Sequence, residues 1–240
     1  MIDKHSPIPI YHQLEEQIKT KIESGEYKAG DSLPSEREYA EQLGISRMTV
    51  RQAITNLANK HYLYRIKGKG TFIAEQKLEQ NLNGLTSFTE DMKARGMKPS
   101  NKLINFEIIP ANEGLAEQLH IPVYTPVYEI KRIRLAEDEP MALERTYISA
   151  NLIKGLTDEI AQSSLYYYIE DKLGLRIGKA SQIFEATLAN EEEIQYLKIE
   201  ENSPVLFMKR VTQLADGTTF EVVKSSYRAD RYKFMLDLER

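Results

Sequence analysis

Between Ser46 and Gly70 the stretch SRMTVRQAITNLANKHYLYRIKGKG holds six Lys or Arg residues and no Asp or Glu, in a chain whose formal net charge is -4. Such a local reversal suits a polyanion, and nucleic acid is the polyanion whose grooves accept a helix or a tight basic turn. A second set of candidates lies downstream. Arg132 and Arg134 alternate in KRIRL, Glu144 stands in ALERTY, and Glu221 and Tyr227 in TFEVVKSSYR. Residues two apart on a strand share a face, so the two arginines would stand side by side. Adjacent guanidiniums repel unless an anion lies between them, and phosphate matches their paired donors. Ser163 and Ser164 open a helical segment in SSLYY, and Thr89 opens another in GLTSFTED. Both offer hydroxyls and first-turn amides to an anion. Glu144, Glu221 and Tyr227 could hold the hydroxyls or an amide of a sugar opposite the phosphate. The plainer alternative for Arg and Glu on paired strands is a cross-strand ion pair.

Composition narrows the field. The chain has 240 residues, 41% hydrophobic and 28% charged, which is enough for two modest cores. Cysteine is absent, so disulfides, thiolate metal sites and cysteine nucleophiles are excluded, and four scattered His disfavour a metal cluster. We expect no metal and no cofactor. No apolar run approaches the roughly 20 residues of a membrane span, and MIDKHSPIPI lacks a signal core, so a cytoplasmic protein is expected. Through Lys77 the charge is +2 and beyond it -6, which makes the N-terminal part the polyanion binder.

The elements that must position these residues can be read in order. Ile10, Leu14, Ile18 and Ile22 recur every fourth residue, one stripe of a helix that Gly25 ends. Ser35 with Glu38 forms a capping box for a second helix, which runs to Leu43 before Gly44. Ser46 caps a third helix whose inward stripe is Val50, Ala53, Ile54, Leu57 and Ala58, leaving Arg47, Thr49 and Arg51 outward. YLYRI and TFIA flank KGKG as a hairpin with a basic tip. The layout predicts a winged helix-turn-helix. Arg47 is the first choice for a bidentate guanine contact, with Thr49 and Arg51 reaching bases or phosphates. Lys67 and Lys69 would attract phosphate while Gly68 and Gly70 let the turn approach closely, and Arg37 could reach the duplex from the second helix.

Residues 75–83, EQKLEQNLN, are polar and lack a strong period, so they read as a linker between a DNA-binding domain at 1–74 and a second domain at 84–240. That second domain shows six β-rich runs, NKLINFEII, PVYEIKRIRLA, PMALERTYI, IGKASQIFEATLA, PVLFMKRVTQL and TFEVVKSSYRA, with turn signals at AEDEP and ADGT. Helical segments intervene at SFTEDMKARG, NEGLAEQL, SSLYYYIEDKLG and NEEEIQYL. An α+β fold on an antiparallel sheet is expected. GxGxxG, the P-loop signature and internal repeats are all read as absent.

PIYHQLEEQIKTKIESGEYKAGDSLPSEREYAEQLGISRMTVRQAITNLANKHYLYRIKGKGTF resembles the winged-helix domain of GntR-type bacterial transcription regulators along its whole length, with LPSEREYAEQLGISRMTVRQA its most specific part. The remainder, with LTSFTEDMKARGMKP, resembles the effector domain of the HutC branch, which has a chorismate-lyase-like fold. The resemblance implies a homodimer on a palindromic operator, with one recognition helix per half-site and the wing in the minor groove. It implies dimerisation through the effector-domain sheet. Within the branch the similarity is to repressors of N-acetylglucosamine utilisation, which implies glucosamine 6-phosphate or N-acetylglucosamine 6-phosphate as effector. Carried over by motif, the phosphate falls to Phe88 and Thr89, to Arg132 and Arg134 with Ile133 between them, and to Ser164, Leu165 and Tyr166. The sugar falls to Glu144, Glu221 and Tyr227. Ser46 joins the DNA-binding set. The alternatives are another small-molecule effector on the same build, or an enzyme using the two carboxylates. Glycoside hydrolysis would need those carboxylates about 5 to 9.5 Å apart. No activated nucleophile accompanies them, so no enzyme is expected.

Overall fold

The computed structural model describes residues 2–4, 6–75 and 77–238. Met1, His5, Gln76, Glu239 and Arg240, which the expected domain and linker ranges include, lie outside them. Two compact units part between Lys77 and Leu78.

The first unit begins with α1 (Ile10–Glu23), whose Leu14 and Ile18 are fully buried. They pack with Val50, Ala53, Ile54 and Leu57 of α3 (Arg47–Asn59). Glu15 is buried beside them, and its carboxylate accepts hydrogen bonds from Asn56 Nδ2 at 2.6 Å and Lys60 Nζ at 2.9 Å. Between them, α2 (Glu36–Leu43) starts at the reciprocal Ser35–Glu38 capping box and stops at Gly44, which takes the left-handed φ of 59°. The hairpin of β1 (Leu63–Ile66) and β2 (Gly70–Ile73) is antiparallel, and Leu63 and Ile73 anchor it to the same core. A loop residue, Ser32, adds a bridge to Phe72.

The second unit begins inside the stretch expected as a linker. Leu78–Asn81 forms β3, which pairs in parallel with β10 (Tyr232–Met235). Its polar LEQN carries no signal of its own because the partner that orders it lies more than 150 residues away. The six expected strands form one antiparallel sheet in the order β4-β5-β6-β9-β8-β7. They are β4 (Pro99–Pro110), β5 (Pro126–Ala136), β6 (Glu139–Ser149), β7 (Ile177–Leu188), β8 (Pro204–Leu214) and β9 (Thr219–Arg228). The helices are α4 (Phe88–Ala94), α5 (Glu113–Leu119), α6 (Asp158–Ala161), α7 (Leu165–Tyr167), which continues as a π-helical turn over Tyr168–Lys172, and α8 (Glu191–Leu197).

Strand order exposes an internal repeat that the sequence reading missed. The run β4-α5-β5-β6 is followed by β7-α8-β8-β9 in the same sense, and the two meanders join at β6 and β9. ANEGLAEQLHIPVYTPVYEIKRIRLA, starting at Ala111, aligns without gaps to ANEEEIQYLKIEENSPVLFMKRVTQL, starting at Ala189. Asn112 and Asn190 cap the two helices, whose C-caps, His120 and Lys198, are left-handed at φ 53° and 55°. Tyr124 and Asn202 repeat a further left-handed position at φ 67° and 61°. Leu119/Leu197 and Val127/Val205 keep their identity, whereas Ile130/Met208 and Ala136/Leu214 change letters but stay apolar, and Leu115 gives way to Glu193, so packing is preserved more than sequence.

Candidate DNA-reading surface and effector site

In the first unit, the N-cap Ser46 accepts a hydrogen bond from Thr49 N at 3.1 Å. Its hydroxyl also lies 2.8 Å from that of Thr49. Both hydroxyls are thus engaged in starting α3, which gives Ser46 a capping role beside any contact it makes to DNA. Glu36, the first residue of α2, was not singled out from sequence, yet three arginines converge on it. Arg51 Nε donates to its Oε2 at 3.0 Å, Arg47 Nε lies 3.6 Å from the same oxygen, and Arg65 Nη2 lies 3.7 Å from Oε1. Arg65 also donates to Thr55 Oγ1 at 3.1 Å. Arg47 remains 63% exposed, so the cluster orients guanidiniums without removing them from solvent. Arg37 sits apart, exposed and paired with Glu41 at 2.9 Å. At the wing, Gly68 has φ 78° and Gly70 φ 127°, conformations open to glycine at little cost. Lys67 and Lys69 have no ion-pair partner among the described residues, which leaves them available to phosphate.

In the second unit, cross-strand register brings the effector candidates onto one face of the sheet. Arg132 lies opposite Glu144, Glu144 opposite Ser225, and Glu221 opposite Thr212. The period of two puts Arg134, Thr146, Val223 and Tyr227 on that same side. Arg132 ion-pairs with Glu144 through Nη2, so the cross-strand pair exists, but it is buried: both residues are under 10% exposed. Arg132 Nη1 donates to Ala161 O at 2.8 Å and Ser163 O at 3.3 Å, which ties the start of α7 to the sheet. Arg134 Nη1 lies 3.5 Å from the Glu144 carboxylate, Nη2 donates to Thr89 Oγ1 at 3.4 Å, and the guanidinium stacks on Phe88 at 4.7 Å. Glu221 accepts from Thr212 Oγ1 at 2.9 Å and from the Tyr166 hydroxyl at 3.1 Å.

These groups enclose a cavity of about 20 Å³ lined by Ser87, Phe88, Arg132, Arg134, Glu144, Ser164, Leu165, Tyr166, Arg210 and Glu221. Ser164 also lines a neighbouring cleft of about 730 Å³, together with Thr89, Lys93, Asn101, Ser163 and Tyr167. Three sequence-derived effector candidates stand outside the cavity: Thr89 lines the neighbouring cleft instead. Ile133 alternates to the opposite face and packs with Leu143, Leu197 and Val205. Tyr227 belongs to the adjoining aromatic cluster, with Tyr232 and Phe234 at 4.9 and 5.5 Å. Arg210 and Ser87 line the cavity but no motif had marked them.

Burial separates the two carboxylates. It alone would raise the pKa of Glu144, but Arg134 and Arg132 overcome it and hold the group down at about 2. Glu221 goes the other way: burial pushes its carboxyl up in spite of Arg210 and the Thr212 hydrogen bond. Burial lowers Arg134 to about 10, which leaves it charged at neutral pH. The site therefore holds three guanidiniums against two carboxylates, of which only Glu144 ion-pairs with arginine. On the same face Arg132 Nε, Arg134 Nε, Arg210 Nε and Ser225 Oγ are buried without a hydrogen-bond partner. Unmet polar atoms and surplus positive charge together are the chemistry of an anion-binding site.

Residues 10–73 match the family of bacterial regulatory proteins described as gntR, and residues 94–233 match the UTRA domain. The chain belongs to the GntR family. The HTH-type transcriptional repressor NagR of Bacillus subtilis is 50% identical over 100% of this chain and 98% of its own. The mannosyl-D-glycerate transport/metabolism system repressor MngR of Escherichia coli is 34% identical over 97% of each. Among solved structures, PhnF from Mycobacterium smegmatis has a TM-score of 0.74 at 29% identity, covering 95% of this chain and 98% of that one. This GntR-family member is a DNA-binding transcription regulator with a small-molecule effector domain of the UTRA type. Its relatives are regulators and not enzymes, and no helix among its described residues is long and apolar enough to cross a membrane.

Proposed function

We propose that this regulator is a cytoplasmic repressor of amino-sugar utilisation genes, binding a palindromic operator as a homodimer and released by glucosamine 6-phosphate or N-acetylglucosamine 6-phosphate. The observation that carries the effector half is the buried arginine set on one sheet face, with carboxylates beside it able to accept sugar hydroxyls or an amine. Similarity to NagR over the whole chain supports the same reading. On the DNA side, Arg47, Thr49 and Arg51 read the major groove, Lys67, Gly68, Lys69 and Gly70 follow the backbone or minor groove, and Arg37 contacts phosphate.

In the effector site, Arg132 and Arg134 take the phosphate with Thr89, Ser164 and Tyr166, over the ring of Phe88 and against Leu165. Glu144, Glu221 and Tyr227 take the sugar. A cavity of about 20 Å³ holds roughly one water molecule, so a sugar phosphate enters only if Glu144 leaves the arginine pair. Effector binding is thus tied to a local rearrangement around β6 and the start of α7, which Arg132 holds through Ala161 and Ser163. If that rearrangement disfavours the operator-bound arrangement, DNA and effector bind antagonistically and reciprocally, with a coupling of about 1 to 3 kcal/mol.

The test is fluorescence-anisotropy titration of the palindromic sequence upstream of the protein's own gene, with and without glucosamine 6-phosphate, N-acetylglucosamine 6-phosphate and glucose 6-phosphate. Release by the two amino-sugar phosphates alone is the expected result. Tight DNA binding that none of the three relieves would retain the regulator and remove the effector.

A further inference from the structure

The internal repeat puts Arg210 of β8 in the place that Arg132 holds in β5, since KRVTQL aligns with KRIRLA at an offset of 78 residues. Both side chains face the same cavity, but their cross-strand partners differ. Arg132 lies opposite Glu144, whereas Arg210 lies opposite Val223. No described carboxylate forms an ion pair with Arg210. Its guanidinium stacks on the Tyr166 ring at 5.5 Å, and Nη1 makes only a long 3.4 Å bond to Thr86 O. Its Nε is shut off from solvent without a partner. A cation held this way is costly unless an anion completes it.

The charge count says which anion. Glu144 stays in the site whether it pairs with the arginines or turns to the sugar, so Arg132, Arg134 and Glu144 together carry one net positive charge. Arg210 adds a second, and Glu221, whose carboxylate accepts from Thr212 and Tyr166 instead of ion-pairing with Arg210, does not share that charge as Glu144 shares its arginines. A phosphomonoester carries between about -1.5 and -2 at neutral pH, whereas a sulfate ester of the same shape carries a single charge.

We propose that Arg210 is a third anion ligand of the effector site and supplies the charge by which the site selects a dianionic phosphomonoester over an isosteric monoanion. The proposal rests on the effector reading above. It assigns a specificity-determining role to a cavity-lining residue whose correspondence to Arg132 the repeat reveals.

Isothermal titration of the full-length protein with glucosamine 6-phosphate and glucosamine 6-sulfate, above about pH 7 where the phosphate is dianionic, tests it. Wild type is expected to prefer the phosphate by about tenfold or more. Arg210→Gln should lose most of that preference by weakening the phosphate while changing the sulfate by no more than about twofold, and Arg210→Lys should keep it. Arg132→Gln, the control, should weaken both anions. Circular dichroism and melting of each variant confirm that it is folded. Should Arg210→Gln weaken both anions equally, or neither, the proposal is overturned while the effector reading stands on the Arg132→Gln result. A wild type that binds the sulfate as tightly as the phosphate also overturns it. If wild type binds neither anion, nor the corresponding N-acetylglucosamine esters titrated in their place, the effector reading falls and takes this inference with it.

Discussion

Arginines gather around a glutamate twice in this chain, once at the surface and once inside, and solvent separates the two outcomes. Glu36 holds Arg47, Arg51 and Arg65 at 3.0 to 3.7 Å, but the arginines are 45 to 63% exposed. Each such pair is worth at most about 1 kcal/mol, because water screens it and the side chains lose entropy in meeting. The cluster can therefore be broken by a DNA phosphate or a guanine edge at little cost, as a reading surface requires. Glu144 holds Arg132 and Arg134 where all three are under 10% exposed. There a lost partner leaves an uncompensated charge, so the ion pair is exchanged for another anion or kept. On the proposed function, the same side-chain chemistry serves recognition at the surface and a switch in the interior.

Removing the interior anion should give the largest effect. Glu144→Ala leaves two buried guanidiniums without their carboxylate, and the second unit should lose about 3 to 5 kcal/mol of stability, read by chemical denaturation. Inorganic phosphate should restore part of it in proportion to concentration; a variant as stable as wild type would end the contrast between the two clusters. The pH response sharpens it. With its folded pKa near 2, Glu144 contributes stability that is present above its unfolded range, about 4.3, and is lost as the pH falls toward 2. Glu221, whose folded pKa is raised, favours folding while protonated, so that contribution is lost as the pH rises above the unfolded range. Glu221→Gln should therefore flatten the fall in Tm as the pH rises from the unfolded range, and a steeper fall would contradict the burial argument.

Surface changes should leave stability nearly alone and act on DNA. Arg47→Ala is expected to cost about 1 to 3 kcal/mol on operator and to relax sequence preference, measured against random duplex. Smaller still is Glu36→Gln. Removing a negative charge should tighten random DNA slightly, while loss of the fixed arginine geometry lowers the operator-to-random ratio by about 1 kcal/mol or less. If both DNAs tighten equally, Glu36 does not orient the arginines. Lys67→Ala should weaken all duplexes alike and reduce the salt slope by about 0.9, and a base-specific loss would move the wing from phosphate contact to readout.

Much of the architecture followed from local chemistry. Ser35, Gly44 and Ser46 mark helix ends because capping geometry is set by neighbours a few residues away, and the six long strands show their alternation and turn residues directly. Arg132 and Arg134 were legible as a pair because a strand's period of two is a local property. What the residues alone left open depends on contacts distant in sequence. LEQN becomes β3 only because YKFM lies beside it, Ile133 packs against Leu197 and Val205 from the second meander, and Tyr227 joins an aromatic cluster built with Tyr232 and Phe234. Glu36 matters because α2 and α3 cross where three arginines can reach it, and Arg210 because two similar meanders meet at β6 and β9. Residue types and short spacings determined which elements form and which groups can bind an anion. The tertiary structure decided which of those groups are buried together, because burial, unlike capping or alternation, depends on the whole fold.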